Sequence, residues 1–463
     1  IDNEPWYRIS RVHRMPEFFV SPVSSGDHWM FISSQGALSA GRRNPDSALF
    51  PYYSCDKLID QAAFTGPKTI IRQSIEGGEV RTWEPFTGRV PPHSSTSRYL
   101  YKNSLGNRLL FEEVNRSMSL AFSYSWTFGN RFGFIRNCQL RNLGAESTHV
   151  SVLDGIQNLL PAGIDQSFQL RYSNLGDAYK KAELSDREKI GIFYLSSIPT
   201  DRAEPSEGLR ATVVWQQGLD DPTVLLSSKQ LDRFRDGMSV AEEHDIRGHR
   251  GAYFTVSQHE LAGHSAQPSS TEPQVSWNLV ANVNRDHTDV VNLQKLLSES
   301  AGIESLITSD VAENERRLLA IVSAADGRQA GNNQLRVQRH QSNVLFNVLR
   351  GGIPQHQYSI SASDFHSHLL QFNRDAAERN PDFLARIANE PNLNLDDLMA
   401  EAIQTGDQDL QRISLEYLPL TYSRRHGDPT RPWNAFSIDC FNANGTESLC
   451  YEGNWRDIFE NWE

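Results

Sequence analysis

The chain has 463 residues, 38% hydrophobic and 10% aromatic, with 57 acidic against 45 basic residues and a formal charge of −12. That length exceeds what one hydrophobic core organises, so two or three domains are expected. The charge balance provides no dominant basic face, which argues against nucleic acid and suits a neutral polar ligand such as a sugar. No apolar run reaches the roughly 18 residues that cross a bilayer, so no membrane partner is expected. The start, Ile1 to Trp6, carries no basic-then-apolar leader pattern. A cytoplasmic location is expected, with export left open because the first residue is not Met.

To about residue 285 the chain reads as sheet, with short apolar runs broken by Gly, Pro, Asn and Asp in the rhythm of a sandwich. The clearest strand is predicted from Ser117 to Trp126. Met118, Leu120, Phe122, Tyr124 and Trp126 alternate there with Ser117, Ser119, Ala121, Ser123 and Ser125, so all the large side chains share one face. Further strands are predicted at Trp29–Ser33, Gly133–Leu140, His149–Leu153, Ile190–Tyr194, Ala211–Trp215, Ala252–Ser257 and Gln274–Val283. After Asp286 the apolar period becomes three and four, as in Leu293 to Leu297, Leu318 to Val322 and Val344 to Leu349. Asp326-Gly327 and Gly351-Gly352 break these helices. A brief strand at Tyr358–Ile360 precedes a helix capped by Ser361 or Ser363; Asn380-Pro381 and Asn394 open two more. The predicted layout is a β region over 1–285, a helical connector over 286–407, and a second helical domain beginning at 408–463.

Several constellations dissolve on inspection. His259 and His264 are five apart, which on a helix turns them about 140° from each other, so the zinc-protease pattern fails and no metal is expected. His366 and His368, two apart in a predicted helix, cannot share an ion. Cys55, Cys138, Cys440 and Cys450 have no metal spacing and read as separate thiols, with a Cys440–Cys450 bridge left open. The row Phe122, Tyr124, Trp126 and Phe128 reads as sandwich core in preference to a sugar-stacking platform. Glu112 and Glu113 point to opposite faces of one strand and cannot act together as acid and base.

Pro419 to Glu463 differs from the rest. It concentrates Arg, Asp, Asn and Glu with Tyr422, Trp433, Trp455 and Trp462, separated by Gly and Pro. Planar amides, carboxylates and guanidiniums bridge adjacent sugar hydroxyls, and Trp covers the apolar face of the ring, so this segment is the candidate site. At its end Trp455, Phe459 and Trp462 recur at helical spacing without a capping signal. The chain is therefore expected to be the front part of a longer protein.

Trp455-Arg456-Asp457-Ile-Phe-Glu460 resembles the Arg-Asp turn that opens an early helix of the (α/α)6 barrel in cellobiose-phosphorylase-type enzymes. Asp154 to Pro161 and Arg136 to Asn142 add to the likeness. The resemblance implies a mainly β fold followed by α: a large, galactose-mutarotase-like β super-sandwich, a helical connector and the beginning of a truncated barrel. It further implies that Arg456 and Asp457 hold hydroxyls of the sugar on the non-reducing side of the scissile bond. Side-chain chemistry adds Trp455 and Trp433 as stacking surfaces. The general acid of such enzymes lies on a later barrel loop, so the piece in hand is expected to be inactive alone. The expected activity of the intact protein is inverting phosphorolysis or hydrolysis of a disaccharide or oligosaccharide, without cofactor and with inorganic phosphate as a candidate co-substrate. Homo-oligomerisation stays open. The competing expectation is a non-catalytic carbohydrate-binding or scaffolding protein.

Overall fold

The computed structural model describes the chain except residues 1–3, 76, 89, 92–93, 200–206, 264–272, 300–301, 391, 423–426, 429, 432–434, 443 and 451–463, and except the side chains of 173, 174 and 357. Two compact units emerge: Ile1–Arg317 with Gly427–Phe436, and Leu318–His426 with Ser437–Glu463. The order is β first and α after, as the periodicities require.

In the first unit a ten-stranded sheet runs, in spatial order, through Trp6–Ser10, Thr96–Asn103, Leu109–Asn115, Leu120–Gly129, Gly133–Asn142, Gln274–Asp286, Arg210–Gln217, Gly191–Leu195, Lys180–Leu184 and Asp245–Arg247. A five-stranded sheet joins Thr223–Leu225, Gly251–Leu261, Thr148–Leu159, Gly66–Ser74 and Val80–Trp83. A four-stranded sheet joins Phe19–Val20, His28–Ser33, Leu38–Arg42 and Ala48–Phe50. The three share one core, in which Phe122, Trp126 and Phe134 meet Ile71, Val152 and Ile156 from the second sheet and Met30 and Leu38 from the third. Burial of these apolar faces, at about 25 cal/mol per Å², is what holds the layers together.

Each strand predicted from alternation is present, usually with longer bounds. The predicted strand at 117–126 is shifted: it spans Leu120–Gly129. Ser119 adopts φ 52°, a left-handed conformation that ends the pleat, and its N–H closes a turn on Arg116 O at 3.3 Å. Its aromatic row is core, since Phe122 and Tyr124 are buried, as are Trp126 and Phe128. The pairing of Trp126 with Arg136 and of Tyr124 with Cys138 sets the register with Gly133–Asn142.

That register puts an ion pair in the middle of the sandwich. Arg136 donates to Asp154 through Nη1 at 2.7 Å and Nη2 at 3.1 Å, and its guanidinium lies over the Tyr124 ring at 4.5 Å. Asp154 also accepts from Thr69 Oγ1 at 2.6 Å and Trp277 Nε1 at 2.9 Å. Both charges are fully buried, which is tolerable only because the carboxylate's lone pairs are taken up this way. The segments 136–142 and 154–161 are thus built into the sandwich, with Arg136 and Asp154 in its interior.

Past the sheets, the helix His287–Glu299 starts directly after Gln274–Asp286, at the border expected near 285. Its Val290, Leu293 and Leu297 lie against Val213, Trp215 and Val280 of the large sheet. In the second unit the helices Ala362–Phe372, Arg374–Arg379, Pro381–Ile387, Leu395–Gln404 and Gln408–Glu416 surround one core containing Phe365, Leu369, Phe383, Leu398, Leu410 and Tyr417. Residue 407, where a division was expected, lies between two helices of that core. The caps follow sequence chemistry: Ser361 accepts from Asp364 N–H, Asn394 from Asp396 N–H, and Asp407 from Asp409 and Leu410 N–H. At the two ends of this module, Ile353–Pro354 pairs antiparallel with Leu420–Thr421. Its incoming and outgoing chains therefore run side by side.

Candidate functional site

The candidate site residues Trp433, Trp455, Arg456 and Asp457 lie outside the described residues. Their described neighbours in the same polar segment form a turn. Asp428 Oδ1 accepts from Thr430 N–H at 2.8 Å and Thr430 Oγ1 at 2.6 Å, and Arg431 N–H bonds to Asp428 O at 2.9 Å. This is the side-chain-closed turn that Asp favours ahead of Pro and Thr. The turn rests on the sandwich: Asp428 N–H donates to the Tyr52 hydroxyl at 2.9 Å. Phe436 packs edge-on against Trp29 and Tyr52, with centroids at 5.7 and 5.4 Å. Burial pushes the Tyr52 phenol up to about 12, so it stays neutral at physiological pH.

Gly427 sits in the tightest part of this contact. A Cβ there would lie 2.5 Å from Phe436 Cε1 and 2.7 Å from the Tyr52 hydroxyl. Sequence reasoning picked out the polar residues of 419–463 but not Tyr52 or Trp29, which stand hundreds of positions earlier. No local pattern announces such a partnership.

Further along, Ser448 N–H bonds to Cys440 O at 3.0 Å, and Phe441 bridges Glu447. Asn442 donates to Thr446 Oγ1 at 3.0 Å and to Glu447 O at 3.1 Å. Many polar groups in this stretch thus close their own turns. All four cysteines are thiols.

The discarded constellations take definite places. His259 and Glu260 are consecutive residues of the strand Gly251–Leu261, so they face opposite ways, and His259 Nε2 bonds to Ser257 Oγ at 2.8 Å. His264 lies outside the described residues. His368 is buried and stacks on Phe372 at 4.3 Å, while His366 is exposed. Burial lowers the His368 pKa. Among the described residues no group of three or more His, Cys, Asp or Glu is arranged to hold a metal ion. Glu113 turns inward to Arg98 and Trp83 Nε1, the latter at 2.9 Å; Glu112 turns outward to Arg141 and Tyr101. The two carboxylates therefore lie on opposite faces of one sheet.

Among the described residues, the cavities roomy enough for a small ligand include two. One, of about 270 Å³, lies between the large sheet and the helix His287–Glu299. Phe132, Trp215 and Leu293 wall it, and Arg285 and Asp289 at its rim pair with each other at 2.9 Å. The other, of about 430 Å³, has an apolar floor of Ala362, Leu384 and Ile387 in the helical module, with Ser363, His366 and Glu390 around it.

Residues 355–419 match the family model described as glycoside hydrolase family 149 insertion domain 1. The match covers the helical module whose two ends pair, and it stops immediately before the outgoing strand Leu420–Thr421. No curated protein matches the sequence. Among solved structures, a putative kojibiose phosphorylase from human microbiome is 9% identical, with a TM-score of 0.38 over 92% of this chain and 53% of that one. A bacterial glucoamylase complexed with acarbose is 10% identical, with a TM-score of 0.35 over 89% of this chain and 60% of that one. A putative aldose 1-epimerase from Escherichia coli K12 is 11% identical, with a TM-score of 0.27 over 58% of this chain and 99% of that one. The chain spans less than two thirds of the length of the glucoamylase and of the phosphorylase.

Proposed function

We propose that this chain is the scaffold-bearing part of an inverting glycoside phosphorylase or hydrolase, and that it supplies part of the sugar subsite. The observation that carries the reading is the match of 355–419 to an insertion domain of a glycoside hydrolase family. The β-then-α order and the sequence Trp455-Arg456-Asp457, which resembles the Arg-Asp turn of such enzymes, support it.

On this reading the chain past the helical module, the later part of the 408–463 expected for it, opens an (α/α)6 barrel. Asp457 accepts hydrogen bonds from hydroxyls of the sugar on the non-reducing side, and Arg456 donates to its hydroxyl oxygens. Charge-assisted bonds of this kind fix the ring more tightly than neutral ones. Trp455 and Trp433 cover the apolar ring face. A carboxylic acid protonates the leaving oxygen while phosphate or activated water attacks the anomeric carbon from the opposite side, inverting it. The resemblance assigns that acid to a later barrel loop, so no residue of 1–463 is proposed for it. The substrate is a disaccharide or oligosaccharide, and inorganic phosphate is the co-substrate if the reaction is phosphorolysis.

The test is Asp457→Asn in the intact protein, assayed on a disaccharide panel with and without phosphate. Turnover should fall by at least about a hundredfold, the scale of losing one charged contact made in the transition state. Turnover within a few-fold of the parent would sink the assignment. Product formation only when phosphate is present would select phosphorolysis.

A further inference from the structure

We infer that the cavity between the large sheet and the helix His287–Glu299 is a binding site for a small monocarboxylate with an apolar body. The inference is independent of the sugar reading above and concerns a different class of ligand.

The cavity, of about 270 Å³, is lined by residues of the first unit alone. It forms where two hydrophobic periods meet. Val213 and Trp215, two apart on the strand Arg210–Gln217, share one face of the sheet, and Val290, Leu293 and Leu296 recur every third residue on the helix. Phe132 adds its ring, 6.1 Å from that of Trp215. Phe132 and Trp215 are only 4% and 2% exposed, so this wall belongs to the interior and suits a hydrocarbon body.

The uncommitted polar groups around it are donors. The Arg131 guanidinium lies over the Phe132 ring at 5.2 Å and forms no hydrogen bond or ion pair among the described residues. Asp310, the carboxylate that contacts this turn, is taken up by the backbone N–H groups of Arg131 and Phe132 at 3.1 and 3.0 Å. Asp289 on the helix is engaged by Arg285 Nη2 at 2.9 Å and by the Asp286 N–H at 3.2 Å. Asn282 donates to Arg131 O and accepts from Arg42 Nη1, both at 3.2 Å. The Trp215 indole N–H has no partner among the described residues and is not one of the donors sealed in the interior, so it is left to the cavity that Trp215 lines.

Guanidinium and indole N–H groups can only donate, and a donor in such a place is costly until an acceptor meets it. One guanidinium without a counter-charge matches one negative charge. A phosphate dianion would bring a second charge towards Asp289, so the match is to a carboxylate, which the planar guanidinium grips with two parallel bonds. A carboxylate oxygen, or a hydroxyl beside it, meets the Trp215 N–H, and the apolar body lies against Phe132, Trp215 and Leu293.

The test is isothermal titration calorimetry of the full chain with phenylacetate, mandelate, benzyl alcohol, benzylamine and phenyl phosphate. Phenylacetate or mandelate should bind at least about tenfold more tightly than benzyl alcohol or benzylamine, the scale of one charge-assisted hydrogen bond. Arg131→Gln keeps the backbone N–H that meets Asp310, and Arg131 is exposed, so this variant should melt as the parent does while losing the preference. Trp215→Phe keeps an aromatic wall without its N–H. The fluorescence change that mandelate causes in the parent should vanish there, which locates the ligand; should that variant fold poorly, Arg131→Gln still decides. No binding of either carboxylate at millimolar concentration overturns the inference, and so does equal binding of benzyl alcohol, which would leave a merely apolar hole. Tighter binding of phenyl phosphate would make the ligand a phosphate instead. An unchanged preference in Arg131→Gln would show that the carboxylate is not held here.

Discussion

At the scale of single residues, Arg136 and Asp154 make the strongest claim on the fold. Their charges are balanced in the interior, so removing one partner leaves the other unpaired in a low-dielectric core. Asp154→Asn is expected to cost about 3–5 kcal/mol in urea unfolding, and the double change Arg136→Met with Asp154→Leu distinctly less. Equal losses for the two variants would mean that packing, and not charge, dominates there. Both residues stood out in the sequence within their short motifs. Their pairing did not, because they come from strands of different sheets, and periodicity places a side chain on a face without naming its partner. Tyr52 was less legible still. Its hydrogen bond to Asp428 reaches 376 positions along the chain.

Among elements, the helix Gln408–Glu416 shows how a cap joins local chemistry to electrostatics. The Asp407 carboxylate accepts from two helical N–H groups and from Arg379 Nε at 2.9 Å and Asn380 Nδ2 at 2.8 Å. The Arg379 guanidinium, and then the Asn380 and backbone N–H donors, hold the Asp407 carboxyl well below the usual carboxylate range despite its partial burial. A group with a depressed folded-state pKa stabilises above its unfolded value, near pH 4, and loses that contribution as pH falls through the folded value. Asparagine caps about as well but carries no charge. Asp407→Asn should therefore be less stable than the parent at pH 7, with the gap closing as thermal unfolding is followed below about pH 4. A gap independent of pH would place the effect in geometry instead. This helix was not foreseen, since its short apolar pattern is weak, whereas Leu120–Gly129 was evident from alternation alone. Even there the first residues were misplaced: backbone φ at Ser119 is set by the turn and leaves no trace in hydrophobic pattern.

For the whole molecule, the informative feature is the two-stranded pairing that closes the helical module. Ile353 lies opposite Thr421 and Pro354 opposite Leu420, and Gln355 N–H bonds to Pro419 O at 2.9 Å. Opposed Cα atoms in such a ladder are about 5 Å apart, a gap that a two-residue turn spans. Replacing residues 355–419 by Gly-Gly should leave the β-sandwich folded, with its melting temperature shifted by only a few degrees and helical circular dichroism reduced. Loss of cooperative unfolding would mean that the module is needed for the fold of the rest. The β-to-α succession was legible because its period changes at Asp286. The ends of the module were not, because strands of two residues carry no period at all. A segment whose ends meet can also be acquired or discarded in a single genetic exchange, with no adjustment of the flanking chain. The same seam is where a fluorescent reporter with neighbouring termini could be spliced in, turning motion at this point into a signal.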